Sequence, residues 1–106
     1  MNIKRGIYLP GRCGLWRIVF TRRFEKALEK LDREVAVRVL RKVEILSRNP
    51  YVGKMLRGVY VEIEDLRLKL YSLRVGDYRV IYTVNPLESK VYLLTVKHRK
   101  HVYKEI

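Results

Sequence analysis

The fold of this chain is decided by a ten-residue stretch, LRVGDYRVIY at residues 73–82. The Gly-Asp dipeptide at 76–77 separates two runs of strand-forming residues, which predicts a β-hairpin closed by a two-residue turn. Such a turn places Arg74 directly opposite Arg79. Because successive side chains of a strand point to opposite faces, this register also predicts which residues share a face of the sheet.

The two faces of the predicted hairpin differ in character. One face is apolar and is expected to pack on helices; it carries Tyr71, Leu73, Val75, Tyr78, Val80 and Tyr82. The other face is expected to be open and carries Leu70, Ser72, Arg74, Arg79, Ile81 and Thr83. Like charges directly opposed across strands are destabilising. The arginine pair therefore indicates either a phosphate clamp or a solvated pair with Glu62 or Asp65 as counter-charge.

Two helices are predicted before the hairpin. Thr21 and Asp32 are typical N-cap residues, and apolar residues recur behind each of them at helical spacing. The stripes are Phe24, Ala27, Leu28 and Leu31 in the first helix, and Ala36, Val39, Leu40, Val43 and Leu46 in the second. Asn49-Pro50 is predicted to end the second helix.

The other segments complete an α+β fold. Residues 16–20 are predicted to form a first strand, 51–65 a connector with bends, and 66–75, 78–84 and 91–96 three strands in a meander. This order, β-α-α-β-β-β, predicts a small, mostly antiparallel sheet with a helical hairpin on one face. A single domain at 16–106 is expected to follow an N-terminal arm at 1–15, which is rich in turn-forming residues.

Charge limits the classes of function. The chain has 24 Lys and Arg against 11 Asp and Glu, a net charge of +13 in 106 residues. A cationic face on a folded domain favours a polyanionic partner, and nucleic acid is the first candidate. No apolar run approaches the roughly 20 residues that cross a bilayer, and the single Cys13 allows no internal disulfide. We therefore expect a cytoplasmic protein with no membrane contact, no cofactor and no metal.

A basic run, KHRKHVY at 97–103, closes the last predicted strand. It mixes Arg, His and Tyr, and these side chains contact phosphates or stack on bases in RNA-binding proteins. A basic end can also serve only as a solvated edge that discourages strand pairing. A metal site at His98 and His101 is not expected, because few carboxylates lie near them in the sequence.

The stretch at 73–82 resembles the central signature of the RelE/ParE toxin superfamily, and VKHRKHVY at 96–103 resembles its closing motif. The segment KMLRG at 54–58 is similar to the family's segment before the strands. The resemblance implies a toxin of a type II toxin–antitoxin pair. RelE-like members are endoribonucleases that cut mRNA in the ribosomal A site without a metal: the ribose 2′-hydroxyl attacks the adjacent phosphate and leaves a 2′,3′-cyclic phosphate.

The resemblance also implies roles for residues of this chain. Arg79 matches a catalytic arginine that holds the scissile phosphate, Arg99 matches one that stabilises the phosphate or leaving group, and Tyr103 matches a tyrosine that stacks on substrate or assists proton transfer. Residues expected to bind RNA or phosphate are Arg74, Lys69, Lys97, His98 and Lys100. The expected partners are the ribosome, mRNA and an acidic RelB-like antitoxin that joins the toxin in a hetero-oligomer.

The chain departs from the bacterial RelE pattern on the strand before the hairpin. Where that pattern has two lysines, this chain has Leu70 and Ser72, and Lys69 is offset by one residue. Lys97 or His98 could take over as base or acid. Two alternatives to the ribonuclease stay open: a ParE-like inhibitor of DNA gyrase, and a basic RNA-binding module that does not cleave.

Overall fold

A computed structural model describes residues 15–101 of the chain. In chain order, the elements are β1 Arg17–Phe20, α1 Arg22–Glu29, α2 Arg33–Val43, β2 Lys54–Ile63, β3 Leu66–Val75, β4 Tyr78–Asn85 and β5 Lys90–His98. Short 3₁₀ turns follow α2 at Glu44–Ser47 and β5 at Arg99–His101. The strands form one five-stranded sheet in the order β1-β5-β4-β3-β2, so the α+β class is confirmed. The predicted arm lies outside the described residues except for its last residue, and Tyr103 lies outside them too.

The β3–β4 hairpin has the predicted register. Val75 pairs with Tyr78, and Arg74 pairs with Arg79. Gly76 adopts a φ of +59°, which suits the first central position of a type II′ turn and is costly for any residue with a Cβ. The predicted apolar face of this hairpin packs with the helices in one core. The turn residues therefore fix the register that decides which side chains reach the core.

The helices begin and pack as their sequence predicts. The Thr21 hydroxyl accepts a hydrogen bond from the Phe24 N–H at 3.2 Å and donates one to the Leu93 carbonyl at 2.6 Å, so it caps α1 and ties it to β5. Asp32 occupies the N-cap position of α2, but its side chain makes no capping hydrogen bond. No helix within residues 15–101 is long and apolar enough to span a membrane.

The prediction of a connector at 51–65 is wrong, because residues 54–63 form strand β2. This strand pairs with β3 along most of its length, and its register shifts between Leu56 and Tyr60. The irregularity includes Gly58, which has a φ of +74°. Because the bulge breaks the alternation of buried and exposed side chains, the sequence of β2 lacks the period of two that marks a strand. Four strands rather than three therefore follow the helices.

The prediction that the second face of the sheet is open is wrong for most of that face. Leu70, Ile81 and Thr83 are all buried there, and a second apolar cluster covers this face. The cluster extends over β2 and over the end of β3 that reaches beyond β4. From β2 and this end of β3 come Leu56, Ile63 and Leu68, and Leu66 packs against them. A long twisted two-stranded ribbon coils, which brings its apolar side chains over the sheet. Near the Gly76-Asp77 turn this face carries Arg74 and Arg79, and at its opposite end it carries Arg17 and Lys90.

Candidate functional site

Three basic residues stand side by side on neighbouring strands near the hairpin turn. Arg79 of β4 pairs with Arg74 of β3 on one side and with Lys97 of β5 on the other. Register partners share a face, and neighbouring strands lie about 4.8 Å apart. The three side chains thus form a line across the sheet, about 10 Å from end to end at the backbone, that we call the cationic row.

Within the cationic row, Arg79 is only partly satisfied. Its Nη1 atom is buried and makes no hydrogen bond in the described part of the chain. Arg74 is exposed and turns back toward the hairpin, where its Nε donates to the Gly76 carbonyl oxygen at 3.4 Å. A buried guanidinium nitrogen without an acceptor is costly, and a bound phosphate oxygen would satisfy it. The arrangement favours the phosphate clamp over a pair neutralised by nearby acids.

A cavity of about 400 Å³ opens where the arginine pair meets β2 and the end of α2. Its lining comprises Lys42, Ile45, Val52, Gly53, Lys54, Ser72, Leu73, Arg74 and Arg79. Four of these residues carry positive charge, and none of the described residues that line it is acidic. We call it the cationic cavity. Such a cavity concentrates a polyanion and stabilises negative charge that develops during reaction.

Two lysines of the cationic cavity were missed by the sequence analysis. Lys54 begins β2 and pairs with Ser72 across the β2–β3 ladder, so both lie on the face of Arg74. Lys42 comes from the last turn of α2, where a cation is also favourable to the helix dipole. The pairing of β2 with β3 would have revealed Lys54, but the sequence gives no sign of that strand. To predict Lys42 as a cavity residue, one would have had to know how α2 packs against the sheet.

Arg99 lies beside the hairpin turn rather than in the cationic cavity. Its backbone N–H donates to the Asp77 carbonyl oxygen at 2.7 Å, and its Nε is 3.9 Å from the Asp77 carboxylate. The Arg99 side chain is 54% exposed, so this ion pair is weak and leaves the guanidinium accessible. Arg99 is therefore at the same end of the sheet as Arg74 and Arg79, as the sequence predicted.

The other predicted site residues are divided between the faces. His98 pairs with Tyr78 on the helical face, where the two rings meet edge to face at 5.3 Å, and its Nδ1 accepts the Lys100 N–H at 3.3 Å. Lys100 is exposed. Lys69 is exposed but lies on the opposite face from Arg74, because its position is offset by an odd number of residues. Their roles, and that of Tyr103, stay predictions.

A second basic depression runs between α1 and β5. It has a volume of about 740 Å³, and its basic lining residues are Arg22, Arg23, Lys26, Lys30, Lys97 and His98. We call it the α1–β5 groove. Lys97 lines this groove and is also the register partner of Arg79, so the groove and the cationic row share this residue. No carboxylate is among the described residues that line the groove.

A pair of stacked tyrosines adjoins Gly53, which lines the cationic cavity. The Tyr71 and Tyr82 rings stack at 5.4 Å, and the Tyr82 hydroxyl accepts the Gly53 N–H at 3.0 Å. Burial raises the pKa of Tyr82 to about 12, in spite of this hydrogen bond. Burial also raises the pKa of Tyr71, and the nearby Tyr51 adds to the effect. Both phenols therefore stay neutral near neutral pH and act as structural groups.

A metal centre finds no support in the described residues. Among residues 15–101, no three His, Cys, Asp or Glu side chains come together in a way that could hold a metal ion. The concentrated cations of the cavity are also poor neighbours for a metal ion. The chemistry that this arrangement can supply is phosphate binding and electrostatic stabilisation.

Comparison with known proteins agrees with the geometry. Residues 18–103 match the model of the family described as ParE toxin of type II toxin–antitoxin system, parDE. No curated protein sequence matches the chain significantly.

Solved structures of RelE toxins share the fold. The RelBE2 toxin–antitoxin complex from Mycobacterium tuberculosis is 30% identical with a TM-score of 0.66, covering 83% of this chain and 95% of that one. The archaeal RelE–RelB complex from Pyrococcus horikoshii OT3 is 31% identical with a TM-score of 0.59, covering 79% and 94%. A free E. coli RelE mutant is 25% identical with a TM-score of 0.59, covering 87% and 93%. The chain belongs to the RelE/ParE superfamily of toxins from type II toxin–antitoxin systems.

Proposed function

We propose that this RelE-like toxin is a metal-independent endoribonuclease that cuts mRNA on the ribosome, in the cytoplasm. The observation that carries the proposal is the buried, unpartnered Nη1 of Arg79 at the edge of a cavity lined by four cationic side chains. A phosphodiester gains negative charge on its non-bridging oxygens as it is attacked. Fixed cations that face those oxygens lower the barrier because they stabilise the transition state more than the substrate.

The reaction follows from the chemistry of RNA. The 2′-oxygen of one nucleotide forms a bond to the adjacent phosphorus, and the bond from phosphorus to the 5′-oxygen of the next nucleotide breaks. The 2′-hydroxyl loses a proton and the departing 5′-oxygen gains one, so the products are a 2′,3′-cyclic phosphate and a 5′-hydroxyl. Arg79 holds the scissile phosphate, and Arg99, beside the turn, stabilises the phosphate or the leaving oxygen. For the proton transfers, the family resemblance offers Tyr103, and Lys97 is the neighbour of Arg79 in the cationic row.

The α1–β5 groove supplies a path for the rest of the RNA. Because the groove shares Lys97 with the cationic row, a phosphate backbone that contacts Arg79 can continue along it without meeting a carboxylate among the described lining residues. The net charge of +13 favours association with ribosomal RNA at low salt. The proposed RNA-binding surface therefore extends from β4 both toward β3 and toward β5.

A RelB-like antitoxin is the proposed protein partner. The toxins in two of the solved complexes described above are bound to RelB. Near the cationic cavity, this chain exposes apolar side chains that a partner would cover: Ile45, Tyr51, Val52 and Met55. An acidic chain that folds on binding would bury these side chains and neutralise the cavity, which would silence the toxin in a hetero-oligomer.

Cleavage by purified protein on ribosomes programmed with a defined mRNA tests the proposal. Arg79→Met keeps most of the side-chain volume and removes the cation, so it is expected to lower the cleavage rate by about 10²–10³-fold. Arg17→Met is a matched control, because Arg17 is exposed and pairs with Lys90 at the opposite end of β5. Inhibition of gyrase supercoiling by a protein that leaves mRNA intact would contradict the proposal. The solved structures compared above are RelE toxins, which favours the ribonuclease over gyrase inhibition.

A further inference from the structure

Lys54 lines the cationic cavity, and the backbone just before it is held by a hydrogen bond and by close packing at Gly53. The N–H of the preceding Gly53 donates to the Tyr82 hydroxyl at 3.0 Å. A Cβ at Gly53 would lie 2.5 Å from that hydroxyl and 2.7 Å from the Ser72 carbonyl oxygen, so only glycine fits. The backbone at the start of β2 is therefore fixed relative to β3 and β4. The side chain of Lys54 leaves this backbone on the same face of the sheet as Arg74. Such fixed placement is what a catalytic group requires.

Lys54 lies among other positive charges, and the fold does not explain why they are brought together. Lys54 shares the cavity lining with Lys42, Arg74 and Arg79, and no described carboxylate lines it. The nearest cross-strand partner is Ser72, which is buried and carries no charge. A lysine on an edge strand can serve simply to discourage pairing with another chain, and β2 is an edge strand. That role, however, would not require Lys54 to line a cavity together with Arg79, whose Nη1 has no hydrogen-bond partner.

We propose that Lys54 is a catalytic residue of this site and that its ammonium donates to a non-bridging oxygen of the scissile phosphate alongside Arg79. The proposal rests on the ribonuclease function given above. In the reaction, Lys54 transfers no proton: the 2′-oxygen–phosphorus bond forms and the phosphorus–5′-oxygen bond breaks while other groups carry the two proton transfers. Its contribution is charge on the oxygen that becomes more negative in the transition state. It supplies from β2 a lysine on the face where β3 carries Ser72, since Lys69, the lysine of β3, lies on the opposite face.

A cross-strand exchange tests this assignment. Lys54→Met is expected to lower the single-turnover cleavage rate by about 10²-fold, with little change in the affinity for a 2′-O-methyl mRNA that cannot be cut. Ser72→Lys in the Lys54→Met background should recover much of the rate, because directly opposed residues have Cβ atoms about 5 Å apart. Lys54→Arg should keep part of it. A purely structural or edge-protecting lysine would give no recovery in rate from the Ser72 position.

The controls separate this proposal from the function on which it rests. Lys90→Met removes a lysine at the far end of β5 and should leave the cleavage rate unchanged. Circular dichroism melting checks that each variant is folded. If Lys54→Met cuts as fast as the wild type while Arg79→Met does not, Lys54 is not catalytic and the ribonuclease stands. If the wild type leaves ribosome-bound mRNA intact, both proposals fail together.

Discussion

Arg74 and Arg79 face each other directly across the β3–β4 hairpin, and the Nη1 atom of Arg79 is buried without an acceptor. This is the second residue pair counted from the two-residue turn, which makes it a non-hydrogen-bonded pair. In such a pair the two Cα atoms lie about 4.5 Å apart, and the side chains are closer than in a hydrogen-bonded pair. The pairing costs stability in the free protein. A site that keeps such a cost is better adapted to a bound phosphate than to the empty state.

The first prediction is that activity and stability change in opposite directions at Arg79. Arg79→Met should lower mRNA cleavage by about 10²–10³-fold, because it removes a donor to the scissile phosphate. The same change should raise the free energy of unfolding by roughly 0.2–1 kcal/mol, because it removes a repulsive cross-strand pair and keeps the apolar stem. Urea denaturation measures the second effect. A clear loss of stability would show that Arg79 has a structural partner.

The second prediction concerns the backbone at Gly53. Gly53→Ala should destabilise the protein by about 1–3 kcal/mol, because its Cβ would overlap the Tyr82 hydroxyl and the Ser72 carbonyl oxygen. It should also slow cleavage, since any shift of this residue moves Lys54. Gly58→Ala is the comparison: no atom lies within 4 Å of its added Cβ, so its cost comes from the positive φ alone. Equal folding energies for Gly53→Ala and the wild type would refute the close approach.

The third prediction is a pH dependence of folding in the alkaline range. The pKa of Tyr82 is about 12 in the folded protein, against an ordinary value of 10.0. The unfolded chain therefore releases this proton first, and Tyr82 contributes stability that is fully present below pH 10 and lost as the pH rises toward 12. Tyr82→Phe should lose about 1 kcal/mol at pH 7 with its hydrogen bond to Gly53. It should also show a shallower decline in stability between pH 10 and 12.

The fourth prediction tests the α1–β5 groove as a path for RNA. The double variant Lys26→Gln, Lys30→Gln should weaken binding of uncleavable RNA at all sequences alike and reduce the slope of log affinity against log salt by about 1–2. The cleavage rate at saturating RNA should stay the same, since neither residue lines the cationic cavity. Glu25 and Glu29, also on α1, do not line the groove, so Glu25→Gln is a suitable charge control. An unchanged salt slope would exclude the groove from the binding surface.

The hairpin could be predicted because its determinants are local. A Gly-Asp dipeptide between two strand-forming runs fixes the register, and the register alone places Arg74, Arg79 and the apolar face. The helices were predictable for the same reason, since Thr21 and the spacing of Phe24 and its neighbours are visible within a few turns. The positions of Arg74 and Arg79 in the fold could therefore be predicted from the sequence.

The rest depended on pairings between distant segments. Strand β2 has a bulge between Leu56 and Tyr60, which hides its period, and without β2 neither Lys54 nor the covered second face could be placed. The side chain of His98 shows a related limit. Its proximity to Lys97 in sequence suggested a shared role, but adjacent residues of a strand point to opposite faces, and His98 packs on Tyr78 instead.

The ends of the cleaved mRNA test the central claim most directly. Ribosomes programmed with a defined mRNA, with or without a single 2′-O-methyl group at the cleaved nucleotide, are incubated with the wild-type protein and the products are mapped by mass spectrometry. The account predicts a 2′,3′-cyclic phosphate and a 5′-hydroxyl, no metal requirement, and no cutting where the 2′-oxygen is methylated. Intact mRNA, or cutting that continues past the methyl group, would contradict it.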